Sequence, residues 1–217
     1  MATSGTTVFN LDVSDLCEEA YERCQIDMRS GYDAKSARRS LNLLLSELNN
    51  HQVNLWKTVS TNVTMVQGQT SYTLDAATND ISNVALIRSG AGTNMMRLSR
   101  DEYQGRPNKT TQARPSQFWL HRLITPVLYV YPAPENSTDI VTFYAMERME
   151  DVSSATNTID IPIRFLSAVT AGLAYYISLK KNPDRAPLLK TVYDEELQRA
   201  QYEDRERVSL RVLPATG

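Results

Sequence analysis

The segment from Pro162 to Lys180 limits what this chain can fold into more than any other stretch. Nearly every position across about five helical turns is apolar or small. A helix that is apolar on most faces is buried on most faces. The segment approaches the roughly 20 apolar residues that a membrane span needs. However, Arg164 lies near its start, Ser167, Thr170 and Ser178 interrupt it, and Lys180 and Lys181 close it. It reads as a central core helix rather than a membrane span, with the other helices packed around it.

At 217 residues the chain has room for one or two domains. A content of 41% hydrophobic and 22% charged residues is that of a globular protein. The formal net charge of -2 gives no overall attraction to nucleic acid or to an acidic membrane. Any such role therefore needs a local patch. Cys17 and Cys24 would share one helix face at roughly 10 Å. A disulfide needs Cα atoms within about 7 Å, so both read as buried thiols. The N-terminus has no basic stretch followed by an apolar run, hence no secretory signal. The Asn-x-Thr triplets at Asn62, Asn108 and Asn136 then read as chance rather than glycan sites.

Taken in order, residues 1–12 read as an arm. A first helix follows over about Val13–Ile26, where Val13, Leu16, Cys17, Ala20, Tyr21 and Cys24 form one apolar stripe. Asp12 or Ser14 can cap it. A second helix runs over about Asp33–His51, with Ala37, Leu41, Leu44, Leu45 and Leu48 inward. From Thr58 to Ala145 the period falls to two, and the chain reads as short strands and turns. Val63 and Met65 would face Tyr72 and Leu74 across a hairpin turn at Gln67–Gln69. A strand over Ile81–Ser89 would end in a turn at Gly90–Gly92. Ser99 with Glu102 has the form of a capping box and predicts a short helix. Pro132–Ser137 would join the last two strands. Pro162 opens the central helix, capped by Asp160 or Ile161. A fourth helix, about Pro183–Ser209, would turn Leu189, Val192, Tyr193, Leu197 and Ala200 inward.

The fold class is α+β: about four helices, two N-terminal and two C-terminal, with a β-rich inserted domain. The expected boundaries are 1–57 with 159–209 for the helical bundle, 58–158 for the insertion, and 210–217 for a docking tail. Past Ala200 the fourth helix carries charge on all sides, with Glu203, Arg205 and Arg207 among them. This end should project into solvent or lie against another subunit. Leu210, Arg211, Val212, Leu213 and Pro214 then form an apolar tail suited to docking on a partner.

Catalytic chemistry finds no constellation. His51 and His121 are the only histidines, one at a helix end and one in a strand beside Trp119. With Cys17 and Cys24 they fit no zinc-ligand spacing. Gly105–Thr110 ends like a phosphate-binding loop but lacks the first glycine, and Pro107 sits where a backbone donor is needed. One stretch is locally basic: Arg97, Arg100, Arg106, Lys109 and Arg114 stand against Asp101 and Glu102, with Tyr103, Phe118 and Trp119 interleaved. This pattern suits a protein contact, a solvated loop, or nucleic-acid binding by phosphate contact and base stacking.

Four segments together carry a resemblance: SARRSLNLLLSELNNHQVNLWK (Ser36–Lys57), NKTTQARPSQFWLHR (Asn108–Arg122), LAYYISLKKNPDR (Leu173–Arg185) and YDEELQRAQYEDRERVSLRVLP (Tyr193–Pro214). In this order the chain resembles the head-to-tail adaptor, or head completion, proteins of short-tailed phages, the tail-tubular-protein-A-like family. The resemblance implies a helical bundle carrying a β-rich domain, and a structural virion protein with no enzymatic activity and no cofactor. It implies assembly in the host cytoplasm into a homo-oligomeric, dodecameric ring at the head–tail junction. The ring would contact the portal protein on one face and tail nozzle or fibre proteins on the other. DNA would pass through its channel without specific binding. Residues Leu210 to Pro214 would touch the portal, Glu203, Arg205 and Arg207 a subunit or the portal, and the Arg97–Arg114 cations the tail, a subunit or DNA.

Overall fold

The structure is a computed structural model that describes residue 5, residues 11–50 and residues 55–205. Its elements in chain order are α1 (Val13–Arg23), α2 (Gly31–Asn50), β1 (Thr58–Thr64), β2 (Ser71–Thr73), β3 (Thr78–Arg88), β4 (Ala91–Asn94) and β5 (Met96–Arg97). Then come the short helix α3 (Arg100–Gln104), β6 (Gln112–Ala113), β7 (Gln117–His121), β8 (Val127–Tyr131), β9 (Ala133–Pro134), β10 (Ile140–Glu147), α4 (Ile163–Lys181) and α5 (Ala186–Asp204). The combination of helices and several sheets is an α+β fold. The chain divides into two compact units. One holds Met1–Val53 with Glu150–Gly217, and the other Asn54–Met149.

The helical unit is built on α4. Phe165, Ala168, Val169, Ala171, Leu173, Ala174 and Ile177 are buried, and α5, α1 and α2 all pack against this helix. Pro162 itself is the N-cap residue, with no side-chain cap bond, rather than Asp160 or Ile161. Its fixed φ suits a helix start, and its missing N–H is one that the first turn would leave unpaired anyway. Gly172 is where neighbours press closest. A Cβ there would lie 2.8 Å from Tyr193 Cε2 and 2.9 Å from Leu44 Cδ1. Polar ties hold the far end of the helix. Lys180 Nζ donates to Ser40 Oγ at 2.7 Å, Lys181 Nζ to Asp33 Oδ1 at 2.8 Å, and the Tyr176 hydroxyl to Glu47 Oε2 at 2.6 Å. The Cys24 thiol donates to Ala174 O at 3.1 Å, and burial pushes the thiols of Cys17 and Cys24 up to about 11.

Residues 150–158 differ from the expected boundary. Their polar character marks a connection, yet their carbonyls serve the helices. Asn157 O and Ala155 O accept from Val13 N and Ser14 N, both at 3.1 Å, satisfying first-turn donors of α1 that no helical carbonyl reaches. Asn42 Nδ2 donates to Val152 O at 3.1 Å, and Asn42 Oδ1 accepts from Val152 N at 2.9 Å. The helical unit therefore begins again at Glu150. The fourth helix also differs: a 3-10 turn at Pro183–Arg185 precedes α5, and Arg205 is already extended. Val192 points outward at 36% exposure instead of into the bundle.

The β-rich unit is two four-stranded sheets, ordered β1-β10-β3-β4 and β2-β8-β7-β5, with a small β6-β9 pair. Met65, Tyr72, Leu86, Phe118, Leu128, Val130, Val141 and Phe143 are among the side chains that form one core. The expected hairpin between Val63–Met65 and Tyr72–Leu74 is absent. β1 pairs with β10 and β2 with β8, so the chain crosses between sheets here. The Tyr72 hydroxyl sits at the crossing, accepting from Val66 N at 2.9 Å and donating to Gln69 O at 3.0 Å. Apolar alternation is the same for a hairpin and for a crossing whose strands enter one core, so it could not separate them. Residues 132–137 likewise cross from β8 to β10, with Asn136 Oδ1 accepting from Thr138 N at 3.0 Å and Asp139 N at 3.1 Å.

Local backbone chemistry fixes the sheet registers. β3 and β4 meet through Ser89 (φ 51) and Gly90 (φ 82), two left-handed residues of the kind a two-residue hairpin needs. The strand resumes at Ala91, one residue before the sequence pattern would end the turn. Within β3, Asn83 (φ 50) and Val84 sit where β10 has only Phe143. This bulge lets Ile81, Val84 and Leu86 all reach the core despite their uneven spacing. Arg88 ties the end of β3 to fully buried Asp139, donating Nε to Oδ1 at 2.9 Å and Nη2 to Oδ2 at 2.6 Å.

Candidate interaction surfaces

The basic segment is largely committed to its own unit. β7 is buried on both faces, because Phe118 and Leu120 enter the main core while Trp119 faces α3. Tyr103, Trp119 and Tyr129 form an aromatic cluster, with Tyr103–Trp119 centroids 5.4 Å apart and Trp119–Tyr129 4.9 Å apart. His121 stacks on Trp119 at 4.8 Å. Trp119, Tyr103 and Phe118 are 8%, 3% and 4% exposed, so none offers a ring face to a base. This removes the stacking half of the nucleic-acid expectation.

Most of the cations are also occupied. Arg97 pairs with Asp80 at 2.7 Å, and Arg114 Nη2 donates to Thr93 Oγ1 at 2.8 Å. Lys109 donates to Gln104 O at 3.0 Å, closing the end of α3, and lies 5.7 Å from the Tyr103 ring centre. Arg106 lies 5.7 Å over Tyr131. Arg100 is exposed on the first turn of α3. Within Gly105–Thr110, Asn108–Thr110 forms an Asx turn: Asn108 Oδ1 accepts from Thr110 N and Oγ1, so this end of the loop folds on itself rather than opening toward a phosphate.

The charged end of the fourth helix is more firmly attached than its sequence suggests. Asp204 is 6% exposed at its side chain and ion-pairs with Arg164 of α4. The outward face of α5 is different. Leu188, Val192, Glu195, Arg199 and Tyr202 follow one another at steps of four and three, a single stripe. Leu188 is 57% and Tyr202 70% exposed. Beside them, Glu195, Gln198, Arg199, Tyr202 and Glu203 line a surface depression of about 410 Å³. Arg205 lies 5.9 Å over the Tyr202 ring. The stripe is not legible from a pattern that turns Val192 inward; the spacing of Leu188, Val192 and Tyr202 is the signal that carries it. Arg207 and Leu210 to Pro214 lie outside the described residues, as does His51.

Among the described residues no group of His, Cys, Asp and Glu is placed to hold a metal ion, and no helix is long and apolar enough to cross a membrane. The surfaces on offer are an outward helix stripe and sheet edges. The class that the fold defines is an α+β protein of a helical unit and a β-rich unit. The chain belongs to the SU10 adaptor protein family, whose model matches residues 11–213. That family is one of structural phage adaptors, not of enzymes, and membership makes this chain a bacteriophage tail-assembly component of the virion. No curated protein matches the chain.

Proposed function

We propose that copies of this chain form a ring, dodecameric as the resemblance implies, between the portal and the tail nozzle, and that the ring lines the channel through which DNA leaves. The observation that carries this reading is the family match, which runs over 11–213 and so includes both units. The exposed stripe Leu188, Val192 and Tyr202 supports it, since apolar side chains aligned on one helix face form a patch that a neighbouring surface can cover. The near-neutral net charge of -2 supports it too, because each retained phosphate contact would slow transit of DNA. Glu203, Arg205 and Arg207 serve subunit or portal contact, and Leu210 to Pro214 dock on the portal.

The test is the mass and symmetry of a mixture of this chain with the portal protein encoded near its gene, by sedimentation and negative-stain imaging. A stoichiometric second ring on the portal is expected. Two separate species at micromolar concentration would overturn the reading. Deleting 210–217 should then leave the fold intact and weaken portal binding.

A further inference from the structure

The sheet β1-β10-β3-β4 ends in two strands that have no neighbour on their outer side among the described residues. Such an edge presents a row of main-chain donors and acceptors, and proteins that must avoid pairing blunt it with charge, proline or a bulge. Neither edge here carries those devices. β1 reads Thr-Val-Ser-Thr-Asn-Val-Thr and β4 reads Ala-Gly-Thr-Asn, with no charged residue and no proline. β1 runs in unbroken register with β10 from Thr58↔Met146 to Thr64↔Ile140; the bulges of this sheet lie between β10 and β3. All of β4 is exposed, and β1 has no fully buried residue. Arg114 donates Nη2 to the Thr93 side chain at 2.8 Å, a bond to the hydroxyl and not to the main chain of β4.

Strand direction decides what can fill these edges. β1, β10, β3 and β4 are antiparallel at every step, so β1 and β4 run in opposite directions. A second copy in the same orientation would bring its β4 antiparallel to β1 of the first. We infer that β1 of one copy pairs with β4 of the next, making a head-to-tail sheet junction between neighbours. Such a contact is heterologous: each copy keeps one edge of each kind, and repetition closes a ring when the rotation permits. A β1-to-β1 pair would also be antiparallel, but it would stop at a dimer and leave both β4 edges bare. β4 is four residues long, so the junction is short. It gains its strength from copies already held side by side on a template, where the second contact is intramolecular.

This inference rests on the ring reading above, and its test separates the two. Ser60→Cys on β1 and Thr93→Cys on β4 are exposed substitutions, and a thermal melt matching the parent establishes that the fold is kept. The full-length double variant is assembled with the portal protein, imaged, and treated with a short bismaleimide. Cys17 and Cys24 are buried with raised thiol pKa values and do not compete. A ladder extending past the dimer is expected from the double variant, and no ladder from either single variant. A ring in the images without a ladder overturns the edge junction and leaves the ring standing. Dimers from Ser60→Cys alone show β1-to-β1 pairing and overturn the head-to-tail arrangement. Absence of any ring removes both. As a second arm, Ser60→Lys with Thr64→Lys places charge at two exposed positions of the β1 edge and should lower ring occupancy on the portal at an unchanged melting temperature; unchanged occupancy counts against the junction.

Discussion

The two units hold their outer elements in different ways. In the helical unit α1, α2 and α5 each sink side chains against α4, so an outer helix is held by what its sequence buries. In the β-rich unit the burial belongs to inner strands: β3 and β10 contribute Ile81, Val84, Leu86, Val141 and Phe143, while β1 and β4 contribute almost none. An outer strand is held mainly by its ladder. The first kind of element is sensitive to single side chains. The second is not, and it has main-chain groups left for another chain.

The largest expected effect tests the first half of that contrast. Phe165→Ala empties a fully buried site on α4 and should cost about 3 to 5 kcal/mol. Val59→Ala on β1, 43% exposed in the parent, should cost less than about 1 kcal/mol. Urea unfolding of the full chain measures both. Equal losses would break the comparison, because β1 would then be anchored by its side chains.

Gly172 sharpens it. Alanine favours a helix interior over glycine by about 1 kcal/mol. Against that, the added Cβ would meet Tyr193 and Leu44 at 2.8 and 2.9 Å, and overpacking of a tight core costs about 1 to 3 kcal/mol. The net effect of Gly172→Ala therefore runs from about zero to a loss of about 2 kcal/mol, smaller than that of Phe165→Ala. In a Leu44→Ala background the loss should shrink, since one of the two neighbours that must give way is gone while Tyr193 remains. Additive losses would mean that α4 does not press on α2 at this point.

The same contrast explains what could be read from the chain. Helical stripes such as Leu41, Leu44, Leu45 and Leu48 are local, and they located α1, α2 and α4 to within a few residues. Strand partners are not local: Val63 pairs with Val141, far along the chain, and alternation in Val63–Leu74 says which residues are inward but not which sheet they belong to. The capping box at Ser99 was legible because all its parts lie within four residues. The fate of the basic segment was not, because the burial of Trp119 depends on α3 folding over β7. Asp204 read as one more exposed charge, since its partner Arg164 lies on another helix.

The smallest expected effect probes that capping box and is pH-dependent. Glu102 accepts from Ser99 N at 2.6 Å, and Ser99 Oγ accepts from Glu102 N at 3.2 Å. The Ser99 backbone N–H first, and then the Ser99 hydroxyl, hold the Glu102 carboxyl below its ordinary value of 4.5. A carboxyl lowered in the folded state stabilises the fold above its unfolded pKa, and that contribution is lost as pH falls through the folded pKa. Glu102→Gln keeps an acceptor but cannot titrate. The parent should be slightly more stable than Glu102→Gln near neutrality, with the gap closing at acid pH below the ordinary carboxylate value. Asp33, lowered by bonds from Lys181 and Ser30, gives the helical unit a shift of the same sign. Asp33→Asn should therefore close its gap in the same window. The two responses differ in what they report: the first follows a contact within four residues, the second a tie between the start of α2 and the end of α4. Melting temperatures of the parent and both variants across that range distinguish them. A constant gap for Glu102→Gln alone would show that the local cap is not formed in solution while the long-range tie is.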